Sequence, residues 1–148
     1  MRMDWIDLKS GRWHRSVETT AAGAVMELVQ IGSLHNKMRV RLPDNWWALG
    51  ERALNELARA PEIRLWTDDN EVPWRISTVG PGTDFPYPLR RRHLVFDSDR
   101  TWAGLVEFDG PNELGDLTDL DLKRLRDGIQ DFGGRRRGYR PPRARSLN

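Results

Sequence analysis

The sequence IRLWTDDNEVPWRIST, residues 63–78, joins two segments rich in β-branched and aromatic residues through the polar residues DDNE. This pattern predicts two antiparallel strands, 63–67 and 72–78, with a tight turn between them. Because proline has no amide hydrogen to donate, we expect Pro73 to lie on an edge strand or at a bulge. The segment therefore indicates an antiparallel sheet built from hairpins.

Similar patterns occur on both sides of this segment. Residues 5–8 and 12–15 flank a short turn that contains Gly11, which predicts a hairpin at the start of the chain. Residues 93–97 and 101–108 flank a turn of serine, aspartate and arginine, which predicts another hairpin. The sheet is thus expected to contain several antiparallel pairs.

Two segments between these hairpins complete the predicted sheet. Residues 17–31 fit both a helix, by the spacing of their apolar residues, and a strand over their second half, which we favour. Residues 37–42 alternate basic and apolar side chains. The alternation predicts a half-buried strand whose solvated face carries Lys37, Arg39 and Arg41.

The first predicted helix follows that strand. Asp44 or Asn45 is expected to supply its N-cap, and Pro61 lies beyond its end. Its apolar residues recur at helical spacing, with charged residues between them. They are Trp46, Ala53, Leu54, Leu57 and Ala58. We expect this helix to pack on the sheet.

The second predicted helix begins at an N-cap supplied by Thr118 or Asp119 and ends near Asp131, with Gly133 and Gly134 as its stop. Its apolar positions are Leu120, Leu122, Leu125 and Ile129. Together these elements predict an α+β fold: an antiparallel sheet of hairpins with two helices packed on one face, followed by a disordered basic C-terminal tail.

The charge distribution divides the chain into two parts. The last sixteen residues, 133–148, contain six arginines and no acidic residue. Removing these six from the 24 basic residues of the chain leaves 18 against 22 acidic ones, so residues 1–132 carry a net charge of −4. We predict a single α+β domain over residues 1–132 and a disordered arginine-rich tail over residues 133–148. Such asymmetry indicates a polyanionic partner, or a tail that lies on its own acidic domain.

Composition and motifs argue against several classes of protein. The chain has no cysteine, which removes disulfides, thiolate zinc sites and cysteine nucleophiles. Its longest apolar run, residues 21–26, is far shorter than the ~20 residues of a membrane span, and charges interrupt the first fifteen residues. The HExxH, GxSxG and GxxxxGK[ST] motifs are absent. We therefore expect a cytoplasmic protein with no enzymatic activity, cofactor or metal.

Two groups of carboxylates allow a metal-binding interpretation. Asp97 and Asp99 flank a serine, as hard-cation ligands can. Their position in a predicted turn favours hydrogen bonds to their own backbone instead. Asp116, Asp119 and Asp121 surround a predicted helix N-terminus, where carboxylates cap amides. A metal-dependent hydrolase, with Asp97, Asp99 and a histidine converging in one pocket, is the third functional hypothesis.

Aromatic residues with nearby arginines give the candidate partner-binding residues. Trp46 and Trp47 are adjacent, and a helix buries only one such ring on a single side, so we expect Trp47 to be exposed. Exposed tryptophan is typical of contact surfaces. The segment over residues 85–92 adds aromatic rings beside arginines, although packing of the rings at the edge of the core is the favoured alternative. The predicted partner-binding set is Trp47, Phe85, Tyr87, Arg90, Arg91 and Arg92.

The tail supplies a second candidate surface. Planar guanidinium groups bind phosphate in pairs of hydrogen bonds, and a tyrosine among them can stack on bases. The predicted polyanion-binding set is Arg135, Arg136, Arg137, Tyr139, Arg140, Arg143 and Arg145. We predict a non-enzymatic binding or adaptor protein with a protein partner. The second hypothesis is a nucleic-acid-binding protein whose affinity resides in the tail.

Overall fold

The computed structural model describes residues 5–33, 35–82, 89–99, 104–108 and 112–135. Eight strands and two α-helices are present in this part of the chain. The strands are β1 (Trp5–Leu8), β2 (Gly11–Thr20), β3 (Gly23–Gln30), β4 (Lys37–Arg41), β5 (Ile63–Thr67), β6 (Pro73–Val79), β7 (His93–Asp97) and β8 (Gly104–Glu107). The helices are α1 (Glu51–Arg59) and α2 (Asp119–Arg135), and 3₁₀ turns occupy Trp46–Ala48 and Leu114–Asp116.

All eight strands form one antiparallel sheet, and their order in space is their order in sequence. The hairpins β1–β2, β5–β6 and β7–β8 confirm the pairs predicted from the sequence. Residues 17–31 form the hairpin β2–β3, so the strand interpretation of this segment is correct and its helical alternative is wrong. The α+β class is confirmed, and neither helix in the described part of the chain has the length and apolarity that a membrane crossing requires.

One face of the sheet holds the core. Residues that lie opposite each other on paired strands project to the same side, so the register links one row of side chains across six strands. Every member of this row is buried: Arg15, Leu28, Met38, Arg64, Ile76 and Phe96. Leu54 and Ala58 of α1 join the core cluster over β1–β4, and Leu122 and Ile129 of α2 join the cluster over β5–β8. Both helices therefore cover the same face.

Helix α1 begins later than its sequence predicts. Asn45 precedes the 3₁₀ turn and makes no capping hydrogen bond with its side chain, while Gly50 is the N-cap of α1. The prediction of Asp44 or Asn45 as the cap of one continuous helix is therefore wrong. The extended backbone at Leu49 and Gly50 separates the two elements.

Three smaller predictions also need correction. Pro73 is the first residue of β6, which pairs on both sides, so the strand is not an edge strand. Proline is tolerated at a strand's first position because little of the ladder depends on it there.

Leu120 is 54% exposed rather than part of the core. Helix α2 continues through Gly133 and Gly134 to Arg135, since glycine costs only about 1 kcal/mol in a helix relative to alanine. The stop predicted at Gly133 and Gly134 is therefore wrong, and residues 136–148 lie outside the described residues.

The 3₁₀ turn Leu114–Asp116 joins the two halves of the core. Ser10 Oγ donates a hydrogen bond to the Gly115 carbonyl at 2.6 Å, and Asp116 accepts one from Arg59 Nε at 2.7 Å. Arg64, on β5, donates from Nη1 to the carbonyls of Leu114 at 3.0 Å and Leu117 at 2.5 Å. These bonds connect the β1–β2 turn, helix α1 and strand β5 through one short segment.

Arg64 is an unusual core residue because it is a fully buried cation. Its guanidinium lies 5.4 Å from the centre of the Trp13 ring, close enough for a cation–π interaction. Burial lowers the pKa of Arg64 to about 10, although Asp119, Asp121 and Asp116 act in the opposite direction. The carbonyl oxygens and the aromatic ring thus replace part of the solvation that the guanidinium loses on folding.

The β5–β6 turn is held against α2 by charged groups. Asp68 accepts hydrogen bonds from the backbone amides of Asn70 and Val72 and from Trp74 Nε1, the last at 2.8 Å. Arg126 of α2 contacts Asp68 at 2.9 Å and the neighbouring Asp69 at 2.6 Å. The turn predicted from the sequence therefore also anchors the second helix.

Candidate partner-binding surface

The sheet face opposite the core, here called the open face, is not covered by either described helix. Its side chains alternate along each strand with the buried ones, as the pleat requires. No helix within the described ranges lies on it, because both helices pack on the core side. The strand prediction for residues 37–42 is confirmed here, since Lys37, Arg39 and Arg41 share this face.

Aliphatic side chains lie between cations at the centre of the open face. Leu65 of β5 is directly opposite Lys37 of β4 on one side and Arg75 of β6 on the other. Ile63 is opposite Arg39 in the same way. The two aliphatic side chains are half-buried, and Arg39 and Arg75 are exposed. This group of five residues is called the central stripe below.

A shallow cavity of about 230 Å³ adjoins the central stripe. Leu65, Arg75 and His35 contribute to its lining, together with Asp97 and Asp99. The structure thus brings a histidine and both aspartates of the proposed metal site to one cavity. Among the residues that the structure describes, however, no three histidine, aspartate or glutamate side chains are grouped so that they can hold a metal ion.

Exposed apolar side chains occur at the β1 end of the open face. Trp5 is 42% exposed and packs edge-on against His14, with ring centres 4.8 Å apart. Ile31, at the end of β3, is 49% exposed, and its amide donates to the Arg12 carbonyl of β2. This surface was not predicted from the sequence, although the alternation of Trp5 and Ile6 along β1 locates it once the buried side of the strand is known.

Trp47 is the most exposed large apolar residue in the described chain, at 68%. It lies in the 3₁₀ turn between β4 and α1, next to Trp46, which is half-buried against the core. The expectation that Trp47 is the exposed ring of the pair is confirmed, while Trp46 is only half-buried. Because its neighbour anchors the turn, Trp47 is held on an ordered element rather than on a long loop.

The arginines predicted to bind a partner lie close to acidic side chains of the same chain. Arg91 contacts Glu107 at 2.7 Å, and both side chains are exposed. Arg92 contacts Glu113 at 3.4 Å and lies 4.6 Å from the centre of the Phe108 ring. These contacts orient the segment onto β8 and the loop that follows it. Arg90 is exposed.

Other predicted residues fall outside this description. Phe85 and Tyr87 of the partner-binding set, and Arg136, Arg137, Tyr139, Arg140, Arg143 and Arg145 of the polyanion-binding set, lie outside the described residues. Arg135 is the last residue of α2. The role of both sets in binding stays a prediction.

The carboxylates near α2 have structural partners. Asp121 accepts a hydrogen bond from the Thr118 amide at 3.0 Å, while the Asp121 amide donates to Thr118 Oγ1 at 3.2 Å. This reciprocal pair is a capping box, so the predicted N-cap at Thr118 is confirmed. Asp116 bonds to Arg59, as described above. The carboxylates of Asp116 and Asp121 thus accept hydrogen bonds within the protein, as the structural alternative to a metal site predicts.

Comparison with protein-family models, curated proteins and solved structures found no match to the chain. Any functional assignment therefore rests on the residues and their geometry.

Proposed function

We propose that this protein is a non-enzymatic binding or adaptor protein that engages another macromolecule, in the first place a protein. The observation that carries the proposal is the exposure of Trp47, a residue that is 68% exposed on an ordered turn. Leaving an indole in water forgoes the stabilisation that burial would give, roughly 25 cal/mol for each Å² of apolar surface. Tryptophan is also among the residues that contribute most to protein interfaces.

The rest of the described surface supports the same proposal. Trp5 and Ile31 add a second exposed apolar area on the open face. The arginine-rich tail would add attraction to an acidic region of the partner, which increases the rate of encounter more than the specificity.

Replacement of Trp47 tests the proposal. Trp47→Ala should leave folding intact and weaken partner capture by about 30-fold if the ring is an interface hot spot worth ~2 kcal/mol. The matched control is Leu120→Ala, which truncates another exposed apolar side chain. Capture would be measured by cross-linking in cells of the source organism, nuclease treatment and quantitative mass spectrometry. Equal capture by the wild type and Trp47→Ala would contradict the proposal.

A nucleic-acid-binding protein is the second candidate, because the tail concentrates six arginines without a compensating acidic residue. Such segments bind phosphates electrostatically and with little sequence preference. A truncation after Arg135 keeps helix α2 and removes residues 136–148. If this candidate is correct, fluorescence anisotropy with labelled RNA should show binding by the full chain and none by the truncated one.

A further inference from the structure

We propose that the central stripe of the open face binds an extended acidic segment of the partner protein. In this arrangement, carboxylates of the segment meet Lys37, Arg39 and Arg75, and its aliphatic side chains rest on Ile63 and Leu65. The inference rests on the proposed function and deepens it, because it names the chemistry of the partner and a surface that the sequence did not single out.

The spacing of the cations suits an extended chain. Lys37 and Arg75 lie two strands apart, which is about 10 Å at ~4.8 Å per strand. Lys37 and Arg39 lie two residues apart on one strand, about 7 Å. Alternate side chains of an extended peptide are also about 7 Å apart. A segment that runs along β4 and β5 and alternates acidic and aliphatic residues can therefore place its carboxylates beside Lys37 and Arg39 and its aliphatic side chains beside Leu65 and Ile63. Arg75 lies on the other side of Leu65.

The three cations are available for an incoming carboxylate. The ion pairs found among the described residues do not include Lys37, Arg39 or Arg75. Three other cations of the sheet and the segments beside it are paired: Arg12 with Asp7, Arg41 with Glu62 and Arg91 with Glu107. Binding at the central stripe thus requires no existing ion pair among those residues to break.

A peptide fits this surface better than a nucleic acid. Binding of single strands relies on aromatic rings that stack on the bases, whereas the side chains between these cations are aliphatic. The aromatic pair of the open face, Trp5 and His14, lies on β1 and β2. In addition, Glu27 lies opposite Arg39, and Asp97 lies opposite Arg75. These carboxylates border the stripe on β3 and β7 and would repel any acidic ligand, peptide or nucleic acid, that extended past β4–β6, so they confine an acidic ligand to the width of the stripe.

The test uses the full chain and a defined probe, a fluorescein-labelled peptide acetyl-Glu-Leu-Glu-Val-Glu-Leu-Glu-amide. The variant Lys37→Glu with Arg75→Glu should weaken peptide binding roughly tenfold or more, from two lost contacts of up to ~1 kcal/mol each and added repulsion. The control variant, Arg52→Glu with Arg124→Glu, makes the same charge change at exposed positions of α1 and α2. It should change the affinity less than twofold. Unfolding curves would establish that both variants fold.

Any of four results would overturn the inference. An equal loss in both variants would show that only net charge matters, and unchanged binding in both would place the site elsewhere, for example in the tail. Tighter binding of a labelled oligothymidylate, lost in the open-face variant alone, would show that the stripe binds nucleic acid. If the wild type does not bind the peptide but still captures a partner through Trp47, only this inference is refuted. If both bindings are missing, the proposed function falls as well.

Discussion

Gly115 lies where the last turn of α1 meets the 3₁₀ turn that joins the two core clusters. A Cβ added at this residue would run into the carbonyl oxygen of Ala58 and come within 2.8 Å of that of Arg59. Both are backbone atoms, so no side-chain rotation relieves the overlap. We therefore predict that Gly115→Ala destabilises the protein by displacing α1 from the Leu114–Asp116 turn.

The magnitude follows from the contacts at this junction. Overpacking of an ordered core typically costs about 1–3 kcal/mol. The displacement also strains the hydrogen bond from Ser10 Oγ to the Gly115 carbonyl, 2.6 Å, and the ion pair between Arg59 and Asp116, 2.7 Å. Weakening these adds about 1 kcal/mol. The expected loss is about 2–4 kcal/mol, or a fall of roughly 6–12 °C in Tm for a chain of this length.

Gly128→Ala is the matched control, because the same substitution is predicted to have the opposite sign there. Gly128 lies within α2, and no atom is found within 4 Å of its added Cβ. Alanine should therefore stabilise the helix by about 0.5–1 kcal/mol. Urea unfolding followed by tryptophan fluorescence measures both changes. A Gly115→Ala protein as stable as the wild type, or shifts of the same sign in the two variants, would refute the reasoning.

Three further predictions concern charged groups. Arg64→Ala should cost about 2–4 kcal/mol of unfolding free energy in urea, through the lost hydrogen bonds and the cavity left behind; Arg64→Met should recover part of it by filling the volume. Hydrogen bonds from Arg126 and Lys123 lower the pKa of Asp69 from 3.8 to about 2, so the stability they contribute is present above about pH 4 and is lost as the pH falls towards 2. Unfolding curves recorded between pH 4 and 2 should accordingly show a smaller loss of unfolding free energy for Asp69→Asn than for the wild type. An equal loss of unfolding free energy in the two proteins would contradict this. If all six tail arginines contact phosphates, RNA affinity measured by anisotropy should fall roughly a thousandfold between 50 and 200 mM salt, whereas a weak salt dependence would count against nucleic-acid binding.

The features that could be predicted from the sequence differ between the fold and the candidate surface. Hairpins were predictable because turn residues and alternating side chains are local signals, as residues 63–78 illustrate. The start of α1 was not predictable, because Asp44 and Asn45 resemble a helix cap and yet precede only a 3₁₀ turn. Exposure of Trp47 was predictable from its neighbour Trp46, because one side of an element buries only one of two adjacent rings.

The sequence by itself determined the α+β class, the antiparallel pairing, the cap at Thr118 and the concentration of positive charge after residue 132. Each of these depends on residues that are near each other in the chain. Only the tertiary structure decided that Arg64 enters the core and that its neighbours Ile63 and Leu65 face outwards between cations. Alternation along β5 is compatible with either orientation. The carbonyls that accept hydrogen bonds from Arg64 lie 50 or more residues away, so the choice depends on how the Leu114–Asp116 turn packs over the sheet.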